Sequence, residues 1–154
     1  LEVSKIPEEK IVVIYEGVDE RFFPQDPHDV KNFRDKYGLA EDYVLAIGGI
    51  GERKNLARIK DAGKKYPLVV LGETIKNIPD REMPLLYSGA SVLVYASLYE
   101  GFGLPILEAM ACGIAVITSN ISSMPEVGGD APLYVNPESI IDIENAIRNV
   151  LNDP

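Results

Sequence analysis

VLVYASLYEGFGLPILEAMACGIAVIT, residues 92–118, reads as a strand, a glycine loop, a helix and a second strand in direct succession. Val92 to Tyr95 and Ala115 to Thr118 are continuous apolar or β-branched runs, not alternating ones, as expected for strands buried on both faces. Pro105–Cys112 between them carries a helical pattern. Pro105 suits a first helical turn, where a missing N–H costs nothing, and Gly113 suits the left-handed position just past a helix end.

The same rhythm continues in both directions. Further strand-like runs are Ile11–Ile14, Tyr43–Ile47, Leu68–Leu71 and Leu133–Val135. Helical patterns fall at about Asp29–Tyr37, closed by Gly38, and at Asn55–Lys65, Met83–Gly89 and Ser139–Leu151, the last capped by Ser139 or Asn136. Strand–helix alternation predicts an α/β class domain, a Rossmann-like parallel sheet with helices on both faces. Neither a repeat nor a linker interrupts the chain, so residues 1–154 read as a single domain, with 1–27 as a leading arm and first strand. In that arm Glu16-Gly17-Val18-Asp19 is turn-like, and Phe22-Phe23-Pro24 is expected to pack its rings on the body.

Composition narrows the function classes. A chain of 154 residues can bury one substantial core. No uncharged apolar run approaches the ~18 to 20 residues of a membrane span, and no signal peptide is evident. The start at Leu1 rather than Met reads as an excised piece. A lone cysteine, Cys112, and a lone histidine, His28, exclude an internal disulfide and leave a Cys- or His-built metal site without ligands. Cys112 reads as a core filler and His28 as a surface turn residue. The net charge of −9 and pI of about 4.6 argue against nucleic-acid binding and are read as solubility. They leave room for a small anion, because a phosphate pocket needs only local donors and a helix start.

The chemistry concentrates after the strand that ends near Ala96. Ligands of open α/β sheets bind at the carboxyl ends of strands, where Glu100-Gly101-Phe102-Gly103 lies. Two glycines let the backbone approach a ligand, and free N–H groups at the following helix start can hold phosphate or sugar oxygens. Glu108, eight positions after Glu100, falls near the second helical turn and can face the same cleft or solvent. Carboxylates accept hydrogen bonds from the paired hydroxyls of sugars. A glutamate pair also invites a glycosidase reading, but nothing in the sequence supplies the separation or raised pKa that chemistry needs.

EGFGLPILEAMACG closely resembles the E-x7-E motif of the GT-B-fold retaining glycosyltransferases, family 4 or glycosyl transferases group 1. VVIYEGVDERFFP resembles that family's lead into its C-terminal domain, with Glu16 where Asn is usual. AIGGIGERKNL resembles its first strand and diphosphate loop, and PLLYSGASVLVYAS and AVITSNISSMPEV its later elements, so the similarity covers nearly the whole chain. The resemblance implies the donor half of a two-domain enzyme that moves a sugar from a nucleoside diphosphate sugar, with retention, using neither metal nor cofactor. It assigns Glu100 to the donor sugar, Glu108 to the ribose hydroxyls, the backbone of Gly101, Phe102, Gly103 and Leu104 to sugar and diphosphate, and Lys54 to the leaving diphosphate. The acceptor-binding N-terminal domain would be missing, leaving this chain able to bind nucleotide without appreciable transfer. A cytoplasmic location is expected, with peripheral membrane association of the parent enzyme left open.

Two departures stand out. The family's usual arginine after the first strand is replaced by Gly49, and Arg53 beside Lys54 is the alternative second charge, though adjacency does not fix direction. Between Gly72 and Met83 the family normally inserts a helix and a strand; Glu73 to Glu82 is too short for both. It is a deletion or a stretch absent from this sequence, and it puts the nucleotide base in doubt. Asn120 to Ser123 can line the cleft or cap the turn at Met124–Val127.

Two rival functions are weaker. Gly48-Gly49-Ile50-Gly51 superficially resembles a dinucleotide loop, with Glu73 as a ribose-binding acid, but Lys54 stands where the third glycine is required. A non-catalytic nucleotide-binding or interaction module of the same fold would explain the shortened middle but not the retention of Glu100, Glu108 and Lys54.

Overall fold

The computed structural model describes residues 7–49 and 51–152. Its strands are β1 (Val44–Ile47), β2 (Leu68–Leu71), β3 (Val92–Tyr95), β4 (Ala115–Ser119) and β5 (Leu133–Val135). They form one sheet in the order β2-β1-β3-β4-β5, all neighbours parallel, with Val44 opposite Leu68 on one side and Val92 on the other. The helices are α1 (Pro27–Tyr37), α2 (Leu56–Gly63), α3 (Met83–Ser88), α4 (Leu104–Ala111), α5 (Met124–Gly128) and α6 (Ile140–Asn152).

The continuous apolar runs are explained by two cores. Leu45, Leu93 and Tyr95 point to one face of the sheet, where they meet Phe33 of α1, Leu86 and Tyr87 of α3, Ile106 of α4 and Met124 of α5. Val44, Ala46, Val92, Val94 and Ile117 point to the other face and meet Ile59 of α2 with Ile143 and Ile147 of α6. Ile143 and Ile147 are spaced one turn apart and fully buried, each contributing about 1.5–3 kcal/mol of apolar burial. Helix ends follow local chemistry. Asp26 caps α1 by accepting from the His28 N–H at 2.8 Å, and Gly38 ends it at φ 64°. Ser139 Oγ accepts from the Asp142 N–H at 3.2 Å as the cap of α6, while Asn136 Oδ1 holds the preceding turn through the Glu138 N–H.

Ile11–Ile14 does not form the expected strand. Ile11, Val12, Val13, Ile14 and Tyr15 are 52% to 85% exposed and pair with no strand among the described residues. Tyr15 is tied down at its hydroxyl, which donates to Glu126 Oε1 of α5 at 2.6 Å. The aromatic pair of the arm divides: Phe22 is buried edge-on against Tyr87, with centroids 5.8 Å apart, whereas Phe23 is exposed.

Neither an α-helix nor a strand lies between β2 and α3, and β2 is an edge of the sheet. The short connection covers that edge itself. Gly72 turns at φ 92°, its N–H donates to Ile75 O, and Ile75 makes an isolated parallel bridge with Leu71. Thr74 Oγ1 accepts from the Val70 N–H at 2.6 Å and donates to the Val70 carbonyl at 3.1 Å. A threonine side chain thus occupies the outward backbone groups that a sixth strand would have paired.

Candidate functional site

β1 has β2 on one side and β3 on the other, so the order in which strands are added reverses between β1 and β3 and the loops leaving them part to form a crevice. The β1 loop is packed tightly at its root. A Cβ on Gly48 would lie 2.2 Å from the Leu71 carbonyl oxygen, so backbone alone fits there. The loop then enters a short 3₁₀ turn, Glu52–Lys54, stopped by Asn55 in the left-handed region at φ 56°. Asn55 is buried and its Nδ2 donates to Ala96 O at 2.9 Å and Pro137 O at 2.6 Å, while the Leu98 N–H donates to Arg53 O at 2.8 Å. The bonds to Ala96 and from Leu98 lock the β1 loop to the β3 loop, and the bond to Pro137 ties it to the segment after β5. Asn55, read from sequence as the first residue of a helix, is instead the clamp before α2.

Both basic residues reach the same carboxylate. Lys54 Nζ lies 2.8 Å from Glu100 Oε1, and Arg53 Nη1 lies 2.6 Å from Glu100 Oε2. Neighbours on a 3₁₀ turn splay about 120° apart, and the Glu100 carboxylate enters between them. Their surroundings differ: the Lys54 side chain is 11% exposed, the Arg53 side chain 50% and Glu100 8%. Lys54 also donates to Tyr95 Oη at 2.9 Å and lies 4.8 Å from the Tyr95 ring centroid. Burial by itself would raise the Glu100 carboxyl, but Lys54 and Ser97 outweigh it and hold the group below the ordinary carboxylate range. Burial, with the Glu100 charge, pushes the Tyr95 phenol up, so it stays protonated. At Gly49, where the arginine would stand, a Cβ would come 3.3 Å from the Lys54 stem, so a side chain there would have to displace the lysine slightly. The lysine lies over the position where another side chain would start.

The loop of Gly101, Phe102, Gly103 and Leu104 runs from Glu100 into α4, turning at Gly103 with φ 122°. Among the described residues the N–H groups of these four positions have no hydrogen-bond acceptor. The loop is braced from behind, a feature the sequence reading missed. Ser122 Oγ donates to Glu100 O at 2.9 Å and accepts from the Glu100 N–H, and Ser123 Oγ donates to Phe102 O. Ser122 adopts φ 61° to do this. Ser122 and Ser123 therefore hold the loop in shape, and the Ser123 side chain makes no cap on α5.

Glu108 is half-buried on α4 and lines a cavity of about 550 Å³ with Arg21, Phe22, Lys76, Asn77 and Asp80. The short connection after β2 supplies one wall of this cavity through Lys76, Asn77, Ile78 and Asp80. Tyr87 Oη donates to Glu108 Oε2 at 2.6 Å. A second cavity, about 820 Å³, lies at the opposite end of the sheet beside Arg34, Asp42, Tyr66 and Val150; it has neither a glycine loop nor a helix start, and it is at the amino ends of the strands. Among the described residues no three His, Cys, Asp or Glu side chains are grouped to hold a metal ion, and no helix is long and apolar enough to cross a membrane. Cys112 is buried, its thiol pushed up to about 11 by burial, and His28 is exposed on α1.

The sequence matches the family described as Glycosyl transferases group 1 over residues 2–154. It is 34% identical to the O-antigen chain mannosyltransferase B of Escherichia coli, covering 96% of this chain and 47% of that protein. The aligned stretch of 178 positions exceeds the 154 residues of this chain, so the relative carries residues with no counterpart here, in keeping with the absent βα unit. The fold matches that of Anabaena Alr3699/HepE, solved with UDP and glucose, at a TM-score of 0.77 and 20% identity, over 92% of this chain and 47% of that one. It also matches the C-terminal domain of a glycosyl transferase group 1 protein, LpcC, from Francisella tularensis, at a TM-score of 0.66 and 24% identity over 89% of both chains. The chain spans less than half the length of the curated relatives it matches. It belongs to the group 1 glycosyltransferases and has the architecture of the C-terminal half of a GT-B fold.

Proposed function

We propose that this chain is the donor-binding half of a retaining glycosyltransferase that takes its sugar from a nucleoside diphosphate sugar. The observation that carries this reading is the meeting of Lys54, Arg53 and Glu100 at the sheet's switch point, beside the unpaired amides of Gly101 to Leu104. A diphosphate entering the crevice finds two cations and a helix start, which together stabilise the charge that grows as the sugar departs. This field is fixed by the fold and needs no metal ion or cofactor. Glu100, released from its cations by the diphosphate, faces the sugar and stabilises positive character at the anomeric carbon. Glu108 in the neighbouring cavity accepts the ribose hydroxyls, with the base against the short connection after β2. The names of the relatives point to a mannosyl donor.

A second domain supplies the acceptor site in this reading. The relatives are more than twice as long as the stretch matched here, and the apolar run from Ile11 to Tyr15 presents both faces to solvent as a strand awaiting neighbours would. The parent enzyme works in the cytoplasm, where it can meet a lipid-linked acceptor at the membrane surface. The test is a thermal-shift series of the purified chain with UDP, GDP, ADP and their sugars, alongside Glu108→Ala. At ten times the dissociation constant, binding should add about 1.4 kcal/mol and raise the Tm by ~3–6 °C. A shift with one base, lost in Glu108→Ala, is the expected result. No shift with any nucleotide favours an interaction module that has kept only the fold, and sugar transfer by the isolated chain would defeat the two-domain reading.

A further inference from the structure

We infer that Tyr87 is a positioning residue for ribose recognition, its hydroxyl setting the Glu108 carboxylate in the orientation that takes up a vicinal diol. The inference rests on the reading of Glu108 as the ribose ligand and adds to it a residue on a different element. Tyr87 belongs to α3, while Glu108 lies on α4, and the two meet through a 2.6 Å hydrogen bond from Tyr87 Oη to Glu108 Oε2.

The arrangement is built to hold direction. Tyr87 is 1% exposed, so its hydroxyl has given up water for a single partner, and a donor bond to a carboxylate is among the stronger hydrogen bonds. Its ring is fixed in turn by the edge-on contact with Phe22. Glu108, by contrast, is only half-buried and borders the cavity. Left alone, a glutamate on the cavity side of a helix samples several side-chain rotamers. With Oε2 tied, Oε1 makes no hydrogen bond among the described residues, and Oε2 retains a lone pair for a second hydroxyl. Two hydroxyls on adjacent ribose carbons match that pair of acceptors, whereas a deoxyribose offers one. Holding the carboxylate before the ligand arrives removes an ordering cost that the ligand would otherwise bear.

A structural tyrosine and a positioning tyrosine differ in one measurable ratio. The purified chain is titrated with UDP, GDP and ADP and with the 2′-deoxy form of each, in wild type, Tyr87→Phe, Glu108→Ala and the double variant. Wild type should favour the ribonucleotide about tenfold over its deoxy form. Tyr87→Phe should reduce that preference at least about threefold, with a smaller change in deoxynucleotide affinity, and should change nothing further once Glu108 is alanine. Phe22→Leu keeps both hydrogen-bonding groups while freeing the ring and trimming the cavity wall, which ribo and deoxy forms meet alike; it should lower the ribo-to-deoxy preference by less, and that ratio carries the test if Tyr87→Phe does not fold. An unchanged ribo-to-deoxy ratio in the folded variants overturns the role of Tyr87. Equal binding of ribo and deoxy forms by wild type overturns the role of Glu108, and failure of every nucleotide to bind overturns the donor-domain reading itself.

Discussion

Lys54 and Glu100 come from loops that leave different strands, β1 and β3, yet Nζ and Oε1 stand 2.8 Å apart with the carboxylate almost wholly removed from water. The pair is placed by backbone, through the Asn55 and Leu98 bonds that tie the two loops. The carboxylate therefore occupies the two cations that the proposed function assigns to a diphosphate.

Glu100→Gln should bind a nucleoside diphosphate without its sugar about three- to tenfold more tightly than wild type, since the competing anion is gone while both cations remain. Stability should fall by about 1–3 kcal/mol because Lys54 loses its charge partner. Calorimetric titration and urea unfolding measure the two effects. Weaker diphosphate binding by the variant would show that Glu100 organises the cations more than it competes for them.

The acid response of the fold should carry the same signature. The folded-state pKa of Glu100 is held below 4.5, so its contribution is fully present above that value and is lost as pH falls through the lower folded value. Melting temperatures of wild type and Glu100→Gln should differ most near neutrality and converge in acid. Curves that stay parallel down to acid unfolding would mean the carboxylate adds nothing to the pH dependence.

Thr74→Val should cost about 1–2 kcal/mol in urea unfolding, since it strips the Val70 N–H of its acceptor and removes a donor to the Val70 carbonyl. The freed edge of β2 should also raise self-association, read by light scattering as concentration increases. A variant as stable and as monomeric as wild type would show that water replaces the hydroxyl at no cost.

Two adjacent glycines should respond in opposite ways. Gly48→Ala puts a methyl 2.2 Å from a backbone oxygen and should cost about 3 kcal/mol or more. Gly49→Ala meets only the flexible Lys54 stem at 3.3 Å, so the fold should survive while nucleoside diphosphate affinity drops severalfold. Thermal melts and the same titrations separate them; equal destabilisation would refute the distinction.

Much of this architecture was legible because burial on both faces leaves continuous apolar runs. Leu68–Leu71, Val92–Tyr95 and Leu133–Val135 are read from sequence to the residue. Ile11–Ile14 shows where such a reading ends: the run records that a segment is suited to burial but not which neighbours bury it. Glu100 and the glycine loop were singled out from their place after a strand, and Lys54 from the family resemblance. The direction of Arg53 was not, because it depends on the turn stopped by Asn55 and on Glu100 arriving from another strand. Ser122 and Ser123 gave no periodic signal, and a buried tyrosine such as Tyr87 looks like core in any pattern, since only its hydroxyl does specialised work.

The position of β2 has a consequence for how this fold can change length. The crevice lies between β1 and β3, and β2 stands at the sheet's edge, so a strand added beyond it would neighbour neither loop that carries charge. One threonine and a tight turn suffice to cover that edge. The outer margin of this sheet is therefore a natural graft point, where a strand and helix can be added to reshape the cavity beside Glu108 while the Lys54, Arg53 and Glu100 cluster keeps its form.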